Sequence, residues 1–252
     1  MTNPAVKQKI IILGAASAMA EAAARLWAEQ QAHILLVGRD ASRLEEIAAD
    51  LHVRGAEVET HAADLASTET AQSFPGMADR LGGADIILLA YGVLGDQKKA
   101  EADTRAALDI ISTDFSSAAA WCLEAANLLE RQGHGKLIVI GSVAGDRGRA
   151  SNYVYGAAKG GLAILVQGIA HRLAKSGASA VLIKPGFVNT PMTAHIARKG
   201  LLWAKPGAIA KVISNVAQRK SPPPVVYAPR FWRLIMSVIR ATPSHLFHKT
   251  KL

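Results

Sequence analysis

The sequence predicts an α/β fold: a doubly wound parallel sheet of about seven strands with helices on both faces. Three observations lead there. Short apolar runs alternate with Ala- and Leu-rich stretches of helical period along nearly the whole chain, the pattern of repeated strand–helix–strand units. The first apolar run ends in a glycine, Gly14, and a helical stretch follows within a few residues. The chain has 252 residues, half of them hydrophobic, enough to fill one such domain over 1–252.

The strands are expected at residues 9–14, 32–38, 57–61, 84–89, 136–141, 179–184 and 225–228. After the first, the turn Gly14-Ala15-Ala16-Ser17-Ala18-Met19-Ala20 leads into a helix over 18–31. A glycine at this junction lets backbone N–H groups and a helix N-terminus approach a pyrophosphate, so Gly14, Ser17, Ala18 and Met19 are expected against a dinucleotide. The second strand runs into Val37-Gly38-Arg39-Asp40. An acid at the strand end would hold the ribose hydroxyls of NAD. Gly38 stands there instead, with Arg39 next and Arg43 near, cations suited to a 2′-phosphate. NADP(H) is therefore favoured over NAD(H), and no metal site is expected. A helix over 41–54 follows, then one over 67–80 that Pro75-Gly76 is expected to end early. Helices at 100–111 and 113–131 precede the fifth strand, 155–175 follows it, and 206–220 precedes the last.

The chemistry is expected around the fifth strand. Ser142 sits at its end, where active groups collect in open α/β sheets. Tyr155 and Lys159 are i and i+4 at the start of the following helix, so both side chains lean to one face. An ammonium beside a phenol is expected to pull the phenol below its free value of about 10. Tyr155 then serves as general acid/base, with Ser142 donating a hydrogen bond to a carbonyl or alkoxide oxygen.

Ser142, the Tyr155/Lys159 pair thirteen residues further on, and the turn Pro185-Gly186-Phe187-Val188-Asn189-Thr190 stand in one order over about residues 9–228. Together they resemble the short-chain dehydrogenase/reductase family. The resemblance implies a Rossmann-type nucleotide-binding fold and an NAD(P)-dependent oxidoreductase. It implies that Tyr155 and Lys159 also meet the cofactor, and that Asp64 and Leu65 meet the adenine. Pro185, Gly186, Val188 and Thr190 would meet the nicotinamide amide and phosphates. It implies a homodimer or homotetramer too. Several positions depart from the family. Ala18 and Ala20 replace glycines of its Gly-x-x-x-Gly-x-Gly turn. Leu89-Ala90-Tyr91-Gly92 replaces Asn-Asn-Ala-Gly, keeping only Gly92, which suits a backbone passing close to the cofactor. Asp114 falls where the family has a catalytic Asn that steadies a proton path to the lysine; Asp accepts the same hydrogen bonds but donates none when ionised.

Charge is divided along the chain. Residues 1–146 hold all 20 acidic residues and 12 Lys/Arg; residues 147–252 hold 17 Lys/Arg and no acid. A cationic half would attract a phosphate-bearing substrate or an anionic lipid surface. Nucleic acid is not an expected partner, since no helix-turn-helix, finger or RNA-binding signature is present. No apolar stretch is long enough to span a membrane, no signal peptide is read at the start, and the lone Cys122 sits in an apolar helix. A cytoplasmic protein is expected. Residues 191–220 are expected to supply a substrate lid and a helix, the lid with Met192, His195, Ile196, Leu201, Leu202 and Trp203 as apolar lining and Arg198 and Lys199 as charge. The tail, 229–252, begins with a helix at Pro229 whose polar stripe is Arg230, Arg233, Ser237 and Arg240. Such a helix either lies in a membrane interface, leaving the protein membrane-associated, or packs on the body or a second subunit.

The stretches Tyr91-Gly92-Val93-Leu94-Gly95-Asp96 and Gly145-Asp146-Arg147-Gly148-Arg149, with the basic tail, are similar to those of decaprenylphosphoryl-2-keto-ribose reductases, which reduce a keto sugar on a polyprenyl phosphate. The expected function is NADPH-dependent reduction of such a lipid-linked ketone. Two alternatives stand beside it: an oxidoreductase of another small lipophilic carbonyl or alcohol, and an NADP-binding sensor with weak catalysis.

Overall fold

A computed structural model describes residues 7–194, 196 and 200–250. His195, Arg198 and Lys199 of the expected lid lie outside the described residues. Seven strands form one parallel sheet: β1 (Lys9–Leu13), β2 (His33–Gly38), β3 (Glu57–Ala62), β4 (Ile86–Leu89), β5 (Lys136–Ile140), β6 (Ser179–Pro185) and, after the two short strands below, β9 (Val225–Ala228). Their order is β3-β2-β1-β4-β5-β6-β9, so the chain winds outward from β1 in both directions. Phe187–Val188 (β7) and Trp203–Ala204 (β8) make a separate two-stranded pair.

Alternation along each strand divides the core into two layers. Ile10, Ile12, Ile34, Leu36, Leu88 and Ile138 face one side. There α1 (Ala18–Ala28), α2 (Ala41–Val53) and α8 (Pro206–Gln218) cover them. Ile11, Leu13, Leu35, Leu89 and Val139 face the other. Their cover is α3 (Phe74–Leu81), α6 (Ala118–Gln132) and α7 (Tyr153–Leu173). Every one of these strand side chains is essentially buried, which is why the strands read as continuous apolar runs rather than alternating ones.

Three local expectations change. The helix expected over 67–80 is a short 3₁₀ turn, Thr70–Ser73, followed by α3; Pro75 sits in the first turn of α3, where its missing N–H costs nothing, and so begins the helix instead of ending it. The helix break expected near residue 112 falls at Asp103, between α4 (Gln97–Ala102) and α5 (Thr104–Ile111). Asp96 and Asp103 cap these two helices, accepting from Lys99 N at 3.1 Å and Arg105 N at 2.9 Å. The chain then stays helical through a π-helical turn, Ser112–Ser117, into α6. The tail helix starts at Trp232, not Pro229, and forms α9 (Trp232–Ala241), followed by the short α10 (Ser244–Phe247).

Candidate active site

A cleft of about 500 Å³ opens at the carboxyl ends of the strands, where β1 has β2 on one side and β4 on the other. Gly14, Ser17, Ala18 and Met19 line it. Gly14 has φ of 90°, and a Cβ there would lie 2.7 Å from Tyr91 Cβ and 2.8 Å from Tyr91 N, so glycine alone permits the crossing. The Gly14 and Ala15 N–H groups both donate to Val37 O, at 2.9 and 3.1 Å, pinning the turn to β2. Ser17 makes no side-chain cap, which leaves the first N–H groups of α1 for an anionic ligand. Ala20 is fully buried, so its methyl group is tolerated in the helix–sheet contact.

At the end of β2, Gly38 and Arg39 line the cleft. Asp40 is occupied in capping α2, accepting from Arg43 N at 3.0 Å. The Arg43 side chain is held by Glu21 and Glu46, each at 2.8 Å, and does not line the cleft. Arg39 is exposed and has no ionic partner among the described residues. Asp64 and Leu65 line the same end. Their loop is fixed from below by Trp121, whose Nε1 donates to Leu65 O at 3.0 Å while its ring meets Phe74 edge-on. Cys122 beside it is a buried packing thiol, pushed up to about 12 by burial.

Ser142, Tyr155 and Lys159 meet on the cleft floor with Asp114 beneath them. Ser142 follows β5; its Oγ accepts from Ala144 N at 3.0 Å, which leaves the hydroxyl hydrogen free to donate, and both Ser142 and Tyr155 line the cleft. Lys159 Nζ lies 5.7 Å from the Tyr155 ring centre. The same ammonium pairs with Asp114 Oδ1 at 2.9 Å, with side chains 4% and 0% exposed. Asp114 also accepts from Val93 N at 3.2 Å. Asp114 does not line the cleft but sits one layer behind it. Gly92 does line it, and a Cβ there would collide with Asp114 Oδ1 and come within 3.0 Å of Lys159 Nζ, so this backbone closes over the pair.

The electrostatics reverse one expectation. Tyr155 is held above, not below, the ordinary phenol value: burial disfavours phenolate, and Asp114 opposes it further, against the pull of Lys159 and Ser142. Lys159 loses hydration on burial, yet Asp114, Tyr155 and the hydrogen bond to Asp114 raise it on balance. Asp114 is raised by burial, with Lys159 and the Val93 N–H pulling the other way. Lys159 is thus largely neutralised by its own carboxylate, and the i, i+4 spacing alone could not reveal that.

Several residues outside the expected set position these groups. Gly145, in the 3₁₀ turn Val143–Asp146, lies against α7; a Cβ there would be 2.7 Å from Gly160 N and 2.7 Å from Lys159 C. A Cβ at Gly156 would be 3.0 Å from Ala144 O. Backbone thus rests on backbone between the Ser142 loop and the Tyr155 helix, and the glycines at 145, 156 and 160 were the available signal. The loop also holds the tail. Asp146 takes Lys184 Nζ and accepts from Tyr227 OH at 2.7 Å. Arg147 donates to the carbonyls of Ile239 and Thr242 at the end of α9, and lies 3.9 Å from the Phe247 ring centre. On the inner face of α9, Trp232 and Met236 are 3% and 1% exposed and pack on Val143.

Pro185, Gly186, Val188 and Thr190 line the cleft opposite the Gly14 turn. Thr193 ties this segment, donating from Oγ1 to Val188 O at 2.6 Å and accepting from Thr190 N at 3.2 Å. Met192 and Ile196 of the lid face the cleft, as do Val93 and Leu94. Trp203 does not; it stacks on Phe187 at 5.3 Å, and Phe187 meets Trp232 of α9 at 5.5 Å. Arg149 and Asn152 line the cleft as well, though no chemistry was expected of either from the sequence.

A doubly wound sheet with a serine, a tyrosine and a lysine gathered at its switch point is the scaffold of a dinucleotide-dependent oxidoreductase. The chain belongs to the short-chain dehydrogenase family, whose model matches residues 8–201. It is 32% identical over 243 residues to an uncharacterised oxidoreductase of Streptomyces coelicolor, covering 96% of this chain and 95% of that one. It is 35% identical over 187 residues to an uncharacterised oxidoreductase of Mycobacterium tuberculosis, covering 73% and 74%. Among solved structures, an actinorhodin polyketide ketoreductase with NADPH superposes with a TM-score of 0.76 at 18% identity, covering 88% of this chain and 97% of that one.

Proposed function

We propose that this protein is an NADPH-dependent reductase of a ketone, with a polyprenyl-phosphate-linked 2-keto sugar as substrate. The observation that carries the reading is one cleft that unites three things: the Ser142–Tyr155–Lys159 floor, Arg39 at the nucleotide end, and an apolar lid at the other. The glycine crossing at Gly14, the uncapped first turn of α1 and Arg39, which has no ionic partner among the described residues, fit a dinucleotide with a 2′-phosphate. Gly92 and the segment from Pro185 to Thr190 would hold the nicotinamide end. Bound NADPH would supply a hydride to the carbonyl carbon.

The protein's own part is protonic and electrostatic. Tyr155 gives its proton to the carbonyl oxygen as charge develops there, and Ser142 donates a hydrogen bond to the same oxygen. A phenol held above its ordinary value stays protonated well into alkaline solution, the state a reductase needs. Lys159 steadies the tyrosinate formed and would hold the ribose of a bound cofactor. Asp114 does the orienting work of the family's Asn by gripping Lys159 and Val93 N.

The lid and tail support a lipid-borne substrate. Phe187 bridges Trp203 of the lid side and Trp232 of α9 beside the cleft, while Leu234 and Val238 on the outer face of α9 are 72% and 62% exposed among Arg230, Arg233 and Arg240. This face rests on an anionic bilayer, making the protein cytoplasmic and peripherally membrane-associated. No helix among the described residues is long and apolar enough to cross a membrane. The enzyme works as a homodimer or homotetramer. The likeness to a polyketide ketoreductase favours a second reading, reduction of another lipophilic carbonyl.

The test is NADPH oxidation with a polyprenylphosphoryl 2-keto-pentose beside simple lipophilic ketones, with NADH as the comparison cofactor. Tyr155→Phe abolishes turnover while NADPH still binds; unchanged turnover removes Tyr155 from its role. Tight NADPH binding with no ketone reduced would instead make the protein a sensor. In a liposome float, Leu234→Glu with Val238→Glu releases the protein from anionic vesicles. Removing 229–252 is the poorer variant, since it strips Trp232 and Met236 from the core.

A further inference from the structure

We infer that Arg149, with Asn152, forms an anion-binding subsite in the substrate portion of the cleft, and that it recognises the phosphate of a phosphorylated carbonyl substrate. The inference rests on the reductase reading above and deepens it. Arg149 lines the cleft, and its Nε is buried with no hydrogen-bond partner. Neither a hydrogen bond nor an ion pair is made by its guanidinium among the described residues. The nearest acid along the chain, Asp146, is already taken by Lys184 and Tyr227 OH and makes no ion pair with Arg149. Burial pulls the guanidinium below its ordinary value, against the attraction of Asp146.

Asn152 supplies the second, independent observation. It stands at the N-cap of α7, where an asparagine side chain normally bonds the first turn, yet it makes no capping bond. Its Oδ1 is instead buried without a partner in the wall of the same cleft. A half-buried guanidinium with an unpartnered Nε and a buried amide oxygen without a partner both cost stability unless a ligand completes them. A phosphate beside a hydroxyl does so: two oxygens take the planar guanidinium fork, and the hydroxyl donates to Asn152 Oδ1.

The experiment uses the full chain. Calorimetry measures octyl phosphate binding to the NADP⁺-loaded protein, in wild type, Arg149→Met and Arg149→Lys. Octyl phosphate binds wild type, weakens by about 10- to 100-fold in Arg149→Met, and partly recovers in Arg149→Lys, which keeps the charge but not the fork. In turnover, the kcat/KM ratio of 8-oxononyl phosphate to 8-oxononanol falls by a similar factor in Arg149→Met. Equal octyl phosphate affinity in wild type and Arg149→Met overturns the subsite, as does no binding to wild type. A matched loss of NADPH affinity in Arg149→Met also overturns it, by assigning the arginine to the cofactor. If neither ketone oxidises NADPH, the reductase reading fails while the calorimetry still decides the subsite.

Discussion

The buried pair beneath the tyrosine is the most sensitive point of the molecule. In Asp114→Asn, Lys159 keeps an acceptor at the Asp114 Oδ1 position, 2.9 Å away, but loses its counter-charge inside a cage closed by the Gly92 backbone. Removing one partner of a buried pair costs about 3–5 kcal/mol when nothing replaces it. Here the amide retains the hydrogen bonds and removes the cost of burying a carboxylate, so the loss is smaller, about 2 kcal/mol, the cost of one imperfectly satisfied buried group. For a chain of this size that lowers the melting temperature by about 4–8 °C. The second consequence is a shift in the field on Tyr155. Asp114 helps raise the phenol, so its neutralisation moves the phenol down; Lys159, deprived of the interaction that offset burial, moves down as well. Reduction needs protonated Tyr155, so activity falls as pH rises through the tyrosine value. The alkaline limb of kcat/KM for ketone reduction therefore shifts to lower pH in Asp114→Asn. Thermal melting and a pH–rate profile from pH 6 to 11 test both. A variant that melts with wild type and keeps the same alkaline limb would refute the view that this pair sets the state of the tyrosine.

Three other outcomes are expected. Gly145→Ala places a methyl group 2.7 Å from Gly160 N and pushes the Ser142 loop off α7, costing about 1–3 kcal/mol and lowering kcat more than NADPH affinity, as stopped-flow binding beside steady-state rates would register. Trp232→Ala empties the contact between α9 and the Gly186 turn, destabilising by about 3–5 kcal/mol, measurable by urea unfolding. Arg39→Ser weakens NADPH by about 10- to 100-fold and leaves NADH nearly unaffected in fluorescence titrations, because only the 2′-phosphate loses a partner.

The sheet was readable because burial on both faces forces each strand into an unbroken apolar run, as in Ile10–Ile11–Ile12–Leu13, and such runs need no partner to be recognised. The floor of the cleft was readable for a similar reason: Tyr155 and Lys159 share a helix face by spacing, and Ser142 ends a strand. Elements whose limits depend on caps were less legible. The break at Asp103 and the start of α3 at Phe74-Pro75 follow from single residues that suit either side of a boundary. Arg43 was misleading for another reason. Its proximity to Arg39 along the chain says nothing of Glu21, which lies 22 residues away in sequence and captures it.

Local order, then, belongs to the sequence: which segments are strands, where glycine must turn the backbone, and which three side chains are presented together. What surrounds those side chains belongs to the tertiary structure. Whether the phenol sits above or below its ordinary value depends on burial and on a carboxylate 41 residues from it along the chain. The anchoring of the tail depends on Arg147 meeting the carbonyls of Ile239 and Thr242, 92 and 95 positions away. Desolvation and Coulomb forces act through space and sum over every neighbour, so their balance exists only once the chain has closed on itself.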